Sequence, residues 1–285
     1  MSRIELYVSC HKESEVPTQE LLVPIQVGTA LAQCRFDGYL HDDEGENISA
    51  LNRSYCELTA HYWAWKHSRA DWIGFFHYRR YFYPNAAAKR PYRLESKPDK
   101  ALLDRLGFSG FAGLIETTDL IMPIGEDMFL PVREHYASAP FHFASDLAKM
   151  EQIVRELRPE YVEAMEQYFS KTLHYFGNMF IMRREVFDRY CEWLFPLLEE
   201  FDRRTDLSGR DVQEKRVDGY LAERLLGVFY TKHRGELRTL ELPRVIFDGM
   251  DGKTDYSKRI LYCLLPPGSR RRSVVKRLRG KKKHG

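Results

Sequence analysis

The chain has 285 residues, of which 44% are hydrophobic and 30% charged, so it can bury the core of one α/β domain. Nine Lys and Arg residues and no acid stand between residues 270 and 283, and removing them from the net charge of +3 leaves −6. An acidic body argues against nucleic-acid binding, and no apolar run approaches the ~20 residues of a membrane-spanning helix.

The five cysteines predict reduced thiols and a cytoplasmic location. They stand at positions 10, 34, 56, 191 and 263, without a CxxC pair. Their odd number and wide spacing argue against a disulfide framework and against a zinc site. The opening MSRIELYVSCHK has no apolar run typical of a signal peptide.

The first half of the chain predicts strands alternating with helices. Apolar runs predict strands at 3–9 and 72–76. Between them, apolar residues at steps of three and four predict a helix at 53–66. Residues 21–32 are predicted as a short helix, 42–47 as a polar loop and the proline-containing stretch 83–109 as a surface excursion.

The second half continues the alternation. Strands are predicted at 120–123, 176–182 and 241–247, a loop at 125–131, and helices at 144–157, 160–170, 184–201 and 217–230. This order predicts an α/β fold with a mostly parallel sheet flanked by helices. Ligands of such sheets bind where the strands reach their carboxyl ends.

Polar side chains follow three predicted strands at those ends. The donor-site candidates are Ser9, His11 and Lys12 after the first strand, Asp43 and Asn47 in the acidic loop, and His77, Arg79 and Arg80 after WIGFF. For several of these residues a structural role is the alternative. His11 also fits a surface histidine, Asp43 a turn cap and Asn47 a helix cap. Glu57 is expected to orient Arg79 or Arg80 from the helix.

The order of strand, acidic loop, helix, strand and charged strand end resembles the nucleotide-binding half of GT-A glycosyltransferases. In those enzymes the acidic loop contacts the base and ribose, and an Asp-x-Asp motif holds a divalent metal on the diphosphate. Here His77-Tyr78-Arg79-Arg80 occupies the Asp-x-Asp position. Because Arg binds phosphate in a bidentate manner, we expect these cations to replace an obligatory Mn²⁺ or Mg²⁺. The alternative is one Arg paired with a structural carboxylate and the other solvated.

A longer stretch of the sequence resembles a known family. The stretch ENISALNRSYCELTAHYWAWKHSRADWIGFFHYRRYF resembles the signature of the bacterial domain of unknown function 4422. Further similar segments, in order, are YVSCHK, PIQVG, GNMFI, YCEWLF and GYLAERL, so the resemblance covers roughly residues 4–250. The family occurs in capsular and exopolysaccharide gene clusters and is described as glycosyltransferases. The resemblance implies transfer from a nucleotide sugar, with UDP expected, to a growing glycan.

The resemblance also directs attention to the acceptor side. Inverting transferases need a carboxylate that takes the acceptor proton, and Glu223 is the first candidate, with Asp218 second. An internal Glu–Arg support is the alternative role for Glu223. Asn178, Arg224 and Tyr78 are predicted to contact the sugar or acceptor. No GxSxG, GxxxxGK[ST], HExxH or GxGxxG motif points to another chemistry.

The chain is predicted to divide into a transferase domain, 1–258, and a basic tail, 259–285. The domain's nucleotide-binding half spans about 1–125 and its acceptor half about 126–258. The tail from Arg270 to Lys283 interleaves cations with apolar residues, which suits the anionic inner face of the plasma membrane and a lipid-linked glycan acceptor. A solvated, disordered tail is the alternative. For the whole chain, the alternative is a non-catalytic nucleotide- or carbohydrate-binding module of a polysaccharide assembly machine.

Overall fold

The structure is a computed structural model that describes residues 2–249 and, beyond them, residues 260, 264, 265, 271, 274 and 275. Most of the predicted basic tail therefore lies outside the described residues. The boundary predicted near residue 258 lies outside them as well, so the domain division stays a prediction.

Twelve strands are numbered in chain order over the described residues. They are β1 (Ile4–Cys10), β2 (Leu22–Gln26), β3 (Leu40–His41), β4 (Trp72–His77), β5 (Arg80–Phe82), β6 (Tyr92–Glu95), β7 (Leu120–Pro123), β8 (Glu126–Asp127), β9 (Leu173–His174), β10 (Phe180–Arg183), β11 (Thr239–Leu242) and β12 (Arg244–Phe247).

Nine α-helices are numbered in the same way over that part of the chain. They are α1 (Asn52–Tyr55), α2 (Leu58–His67), α3 (Lys100–Arg105), α4 (Phe111–Glu116), α5 (Val132–Ser138), α6 (Ala144–Leu157), α7 (Val162–Phe169), α8 (Arg184–Arg203) and α9 (Val217–His233). Short 3₁₀ turns at Thr29–Leu31, Ser49–Leu51 and Glu214–Arg216 matter for the site described below.

The central sheet has the strand order β11-β7-β10-β4-β1-β2-β3. Every neighbouring pair is parallel except the two that β10 makes with β7 and β4. Strand β5 follows β4 and pairs in antiparallel orientation with its end. It also pairs with β12, which in turn pairs with β6. The α/β fold with a mostly parallel sheet is therefore confirmed.

Helices and their connections cover both faces of the sheet. Alternate residues of each strand point to opposite faces and so belong to two separate hydrophobic cores. Tyr7 and Phe75 lie in the core beneath α2, α8 and α9, while Leu6 and Phe76 lie in the opposite core with α3 and α4. Residues buried on both faces explain why β1 and β4 read as continuous apolar runs. Gly74 sits in the middle of β4, where an added Cβ would lie 2.7 Å from atoms of Leu6 and Ile181.

Two predicted elements of the first half are corrected. Residues 21–32 form strand β2 and a 3₁₀ turn instead of a helix, because β2 pairs along β1 and Gly28 adopts φ +69°. The helix predicted at 53–66 is broken at Cys56, which adopts φ +53° between α1 and α2. Both differences arise from contacts distant in sequence or from a backbone turn that helical periodicity cannot reveal.

The stretch 83–109 is less of a surface excursion than predicted. It contains β6 and α3, and it buries Leu102, Leu103 and Phe108 in the core that also holds Leu6 and Phe76. The final strand predicted at 241–247 is two strands separated at Pro243, which cannot donate to a ladder. The strand predicted at 176–182 begins only at Phe180, and the residues before it belong to the site.

Candidate functional site

A cleft of about 610 Å³ opens where β1 and β4 reach their carboxyl ends. The register of these parallel strands places Ser9 opposite His77. The cleft lining comes from these strand ends, from the region of helix α1 and from the segment before α9: Ser9, His11, Val27, Asn52, Arg53, Cys56, Glu57, His77, Val212, Gln213, Lys215 and Arg216. Three predicted donor-site residues, Ser9, His11 and His77, therefore meet in one opening.

Ser9 presents an unused hydroxyl to this opening. The residue is only 2% exposed, and its Oγ has no hydrogen-bond partner among the described residues. A buried hydroxyl without a partner costs free energy unless a ligand or solvent satisfies it. This is the behaviour expected of a group that completes its hydrogen bonding when a ligand binds.

His77 is held neutral. Burial, together with the nearby charges of Arg80, His11 and Arg79, keeps its pKa well below the ordinary value. The backbone N–H of Arg79 donates to His77 Nδ1 over 3.2 Å, so a neutral ring carries its proton on Nε2. His77 can thus offer one N–H to an anion without adding charge.

Tyr78 forms a platform beneath three basic side chains. Its ring, 1% exposed, lies 5.5 Å from Lys12 Nζ and 5.2 Å from Arg79 Cζ, and it packs edge-on against His11 at 5.1 Å. Such cation–π contacts orient charged groups. Burial leaves Tyr78 no free surface for a sugar, so the predicted sugar contact is replaced by a supporting role.

Arg80 lies deeper, beside the loop that precedes β10. A Cβ at Gly177 would stand 3.6 Å from Arg80 Nη1, which shows how closely the backbone approaches the guanidinium. Burial lowers the Arg80 pKa, with Arg244 acting in the same direction, while Glu223 and Glu57 act to raise it. Among the described residues no carboxylate lies within ion-pair distance of Arg80, so the predicted alternative of a structural ion pair does not apply to it.

Glu223 and Arg224 support that loop from helix α9. Glu223 Oε1 accepts the Gly177 N–H at 2.7 Å, and Oε2 accepts from Arg224 Nη1 at 2.7 Å. Arg224 is 5% exposed and also donates to the Tyr220 carbonyl. Both carboxylate oxygens of Glu223 are engaged, and neither residue lines the cleft. This geometry favours the alternative role predicted for Glu223, which is an internal support of the loop. Arg224 does not line the cleft in which an acceptor would bind.

Asn178 connects the same loop to helix α1. Its Nδ2 donates to Glu57 Oε1 at 2.8 Å and to the Gly219 carbonyl at 3.0 Å. Asn178 is 2% exposed and adopts φ +47°, a conformation that Asn tolerates better than most residues. Its Oδ1 has no partner among the described residues. Asn178 therefore positions a carboxylate instead of standing in the cleft lining itself.

The break between α1 and α2 exposes Cys56 and Glu57 to the cleft. Cys56 adopts φ +53° and ψ −127°, which is unusual for a residue with a side chain. Its Sγ accepts from Arg216 Nε at 3.3 Å, and burial raises the pKa of the Cys56 thiol to about 12. The thiol is thus a contact for Arg216 and is poorly suited to act as a nucleophile.

Asp218 does not reach the cleft. It is 0% exposed and faces Asp202 of helix α8, with Ser54 also beside its carboxyl group. Burial and then the neighbouring Asp202 raise the Asp218 pKa well above its ordinary value. The Tyr55 hydroxyl donates to Asp202 Oδ2 at 2.9 Å. Asp218 is therefore a buried carboxyl behind the site, which does not suit the predicted role of a base.

The two adjacent acids of the loop after β3 have different partners, and neither lines the cleft. Asp42, which carried no predicted role, is fully buried and accepts from the Gly28 and Thr29 N–H groups. Asp43 forms an ion pair with Arg35 at 2.6 Å. Asn47 Nδ2 donates to the carbonyls of Asp43 and Gly45, so its side chain closes the loop, in line with the structural alternative.

The residues at the Asp-x-Asp position do not fit a divalent cation, because they bring two guanidinium groups and one imidazole. Within the described ranges, no group of three or more His, Cys, Asp or Glu residues is placed to hold a metal ion. Metal independence stays a prediction. No helix in the part of the chain that the structure describes is long and apolar enough to cross a membrane.

Sequence reasoning missed the segment before α9. Lys215 and Arg216 stand immediately before helix α9 and line the cleft. Cations at a helix N-terminus oppose the helix dipole, which favours anions there. The unfavourable placement of two cations before a predicted helix was the signal available in the sequence. Arg53, at the start of α1, was missed in the same way.

The fold is similar to that of a glycosyltransferase of known structure. A solved apo structure of the bifunctional glycosyltransferase WbbM matches the chain with a TM-score of 0.80 and 31% sequence identity. The match covers 87% of this chain but 46% of that chain, so the present chain spans less than half of WbbM. Residues 5–234 match the family model described as domain of unknown function (DUF4422), and the chain belongs to that family. No curated protein matches it.

Proposed function

We propose that this chain transfers a sugar from a nucleotide sugar, with UDP as the nucleotide, to a growing glycan. The observation that carries the proposal is the charge of the cleft. Arg53, Lys215 and Arg216 line it, whereas Glu57 is its one acid among the described lining residues. Such a concentration of cations, in a body whose charge is −6 without the tail, suits the diphosphate of a nucleotide sugar.

The diphosphate is held by side chains in this proposal. Arg79 and Arg216 supply charge, and neutral His77 donates its Nε2–H to a phosphate oxygen. Lys12, fixed over the Tyr78 ring, adds a further cation at the end of β1. These groups stabilise the charge that develops when the bond between the sugar and the phosphate breaks. Ser9 and Asp43 are assigned to the nucleoside.

The acceptor is proposed to be a lipid-linked glycan of capsule, exopolysaccharide or cell-wall polysaccharide synthesis, reached at the inner face of the plasma membrane. The support is the sequence of the tail, in which Val274, Val275 and Leu278 are interleaved with cations. Displacement at the anomeric carbon is proposed to proceed with inversion. Burial raises the pKa of the Cys56 thiol, so this residue is not an activated nucleophile for a double displacement.

A second candidate function is a module that binds nucleotides or carbohydrates without catalysis. The observation in its favour is that neither Glu223 nor Asp218 lines the cleft. A protein that had kept the fold and lost its base would look the same at those two positions. The cationic cleft serves both functions, so binding and turnover must be measured separately.

The test joins a thermal shift to a transfer assay. UDP and a panel of UDP-sugars are added with and without EDTA, and UDP release and glycan products are followed. A ligand at 100 times its Kd stabilises the fold by about 2.7 kcal/mol, which is measurable as a rise in Tm. Arg216→Met should weaken UDP binding about tenfold or more, as expected when an ionic contact of about 1.5–3 kcal/mol is lost.

Arg238→Met is the matched control. Arg238 pairs with Asp119 at 2.8 Å at the opposite end of the sheet, so its loss should leave UDP binding unchanged. Binding without turnover of any UDP-sugar would favour the non-catalytic module. A wild-type protein that neither binds UDP nor releases it from a UDP-sugar would overturn the proposal.

A further inference from the structure

The cleft holds one carboxylate among its described lining residues, and the sequence assigned it only an orienting role. Glu57 follows the backbone break at Cys56, and its side chain reaches the cleft between the ends of β1 and β4 and the segment before α9. A carboxylate in a cationic pocket for a diphosphate weakens anion binding. Its presence there therefore calls for a role in the reaction or in a specific contact.

The Glu57 carboxylate is held by one other side chain. Oε1 accepts from Asn178 Nδ2 at 2.8 Å. The carboxylate also accepts from its own backbone N–H, and among the described residues no cation stands within ion-pair distance of it. Glu223, by contrast, uses both oxygens to hold Gly177 and Arg224. Of the two glutamates, Glu57 is the one that lines the cleft, and one other side chain holds it, so its carboxylate is placed to accept a proton there.

The fixing group is itself well anchored. Asn178 is 2% exposed, its Nδ2 also binds the Gly219 carbonyl, and Glu223 holds the neighbouring N–H of Gly177. Glu57 is therefore oriented by three elements: the Gly177–Asn178 loop, helix α9 and its own helix. A general base must hold one geometry while a proton crosses, and anchoring of this kind provides it.

The electrostatic surroundings suit proton acceptance. Burial raises the Glu57 pKa, and the Glu223 charge acts in the same direction, whereas the Asn178 hydrogen bond and Arg216 oppose them. Arg80 and the Cys56 thiol also face Glu57. A carboxylate with a raised pKa is a stronger base in its ionised form and takes a proton more readily.

We propose that Glu57 is the base that accepts the proton of the acceptor hydroxyl, an inference that rests on the proposed glycosyl transfer. The acceptor oxygen forms a bond to the anomeric carbon as the bond from that carbon to the phosphate oxygen breaks. The hydroxyl proton passes to Glu57 Oε2, and the electron pair leaves with the nucleoside diphosphate. Cationic side chains bind that leaving group, and Glu57 later returns its proton to water.

Glu57→Gln tests the assignment because it keeps the shape and an oxygen for the Asn178 hydrogen bond but cannot accept a proton. General-base catalysis contributes about 10²- to 10⁴-fold, so kcat should fall by that factor while KM for the UDP-sugar and the UDP-induced Tm shift change little. Glu57→Asp should recover part of kcat. The pH profile of kcat/KM should lose its acidic limb in the Gln variant.

Glu223→Gln is the matched control, since it alters a neighbouring carboxylate that supports the loop. It should lower Tm and leave the acidic limb of the pH profile in place. The assignment fails if Glu57→Gln transfers at the wild-type rate with the wild-type pH profile, or if it loses UDP binding in step with activity, as a residue that only orients Arg80 would. If wild-type protein transfers nothing and binds no UDP, the proposed function fails, and this assignment fails with it.

Discussion

Asp42 and Asp43 are adjacent acids to which the structure gives opposite roles, and replacing each by Asn separates them. Asp42 is 0% exposed, with Oδ2 accepting from Gly28 N–H at 2.7 Å and Oδ1 from Thr29 N–H at 2.9 Å. The Ser49 hydroxyl donates to Oδ1 as well, at 2.5 Å. One carboxylate thus joins the turn after β2 to the turn before α1.

An amide at position 42 keeps one acceptor oxygen and turns an NH₂ group toward a backbone N–H. One hydrogen bond to a charged group is lost, which costs about 1.5–3 kcal/mol, and the other two weaken because the charge is gone. We therefore expect Asp42→Asn to destabilise the fold by about 3–4 kcal/mol. The Asp43 pair with Arg35, whose side chain is 52% exposed, should cost at most about 1 kcal/mol.

Urea unfolding followed by fluorescence measures both variants against wild type. With a slope of about 3 kcal/mol per molar urea, the Asp42→Asn midpoint should fall by about 1 M and that of Asp43→Asn by a few tenths at most. Equal midpoints for the two variants, or an Asp42→Asn shift below about 0.3 M, would refute the assignment of Asp42 as the structural residue.

The remaining predictions concern a buried acid and the tail. The raised pKa of Asp218 means that the folded state keeps a proton that the unfolded chain releases above about pH 4, so wild-type stability falls as pH rises toward the folded pKa. Asp218→Asn removes this pH dependence, so the variant should be at least as stable as wild type at pH 8. At pH 4 the difference in stability should be smaller or reversed. Urea midpoints that change in parallel for the two proteins across this range would contradict the prediction. Removal of residues 270–285 should abolish sedimentation with vesicles containing anionic lipid and leave UDP binding intact, whereas unchanged sedimentation would point to the solvated-tail alternative.

The local sequence pattern was enough to predict the long helices and the strongly apolar strands. The spacing of apolar residues gave α6, α8 and α9 almost to the residue, and the buried strands β1, β4 and β7 followed from short apolar runs. These elements are long or strongly apolar, so many residues contribute to the pattern and no single residue can obscure it. The same strands, by their position, led to Ser9, His11 and His77.

Only the tertiary structure decided which polar residues face the cleft. Helical spacing cannot reveal that Cys56 takes a positive φ and that Glu57 lines the cleft, because their side chains contact partners more than 100 residues away. Nor can a motif distinguish Glu223, whose two carboxylate oxygens bind Gly177 and Arg224, from Glu57, which lines the cleft and is held by one other side chain. The sequence by itself determined the buried strands β1, β4 and β7, the long helices and the basic strand end, since these depend on local pattern. The choice of carboxylate depends on which groups fold against it, and that is a property of the assembled chain.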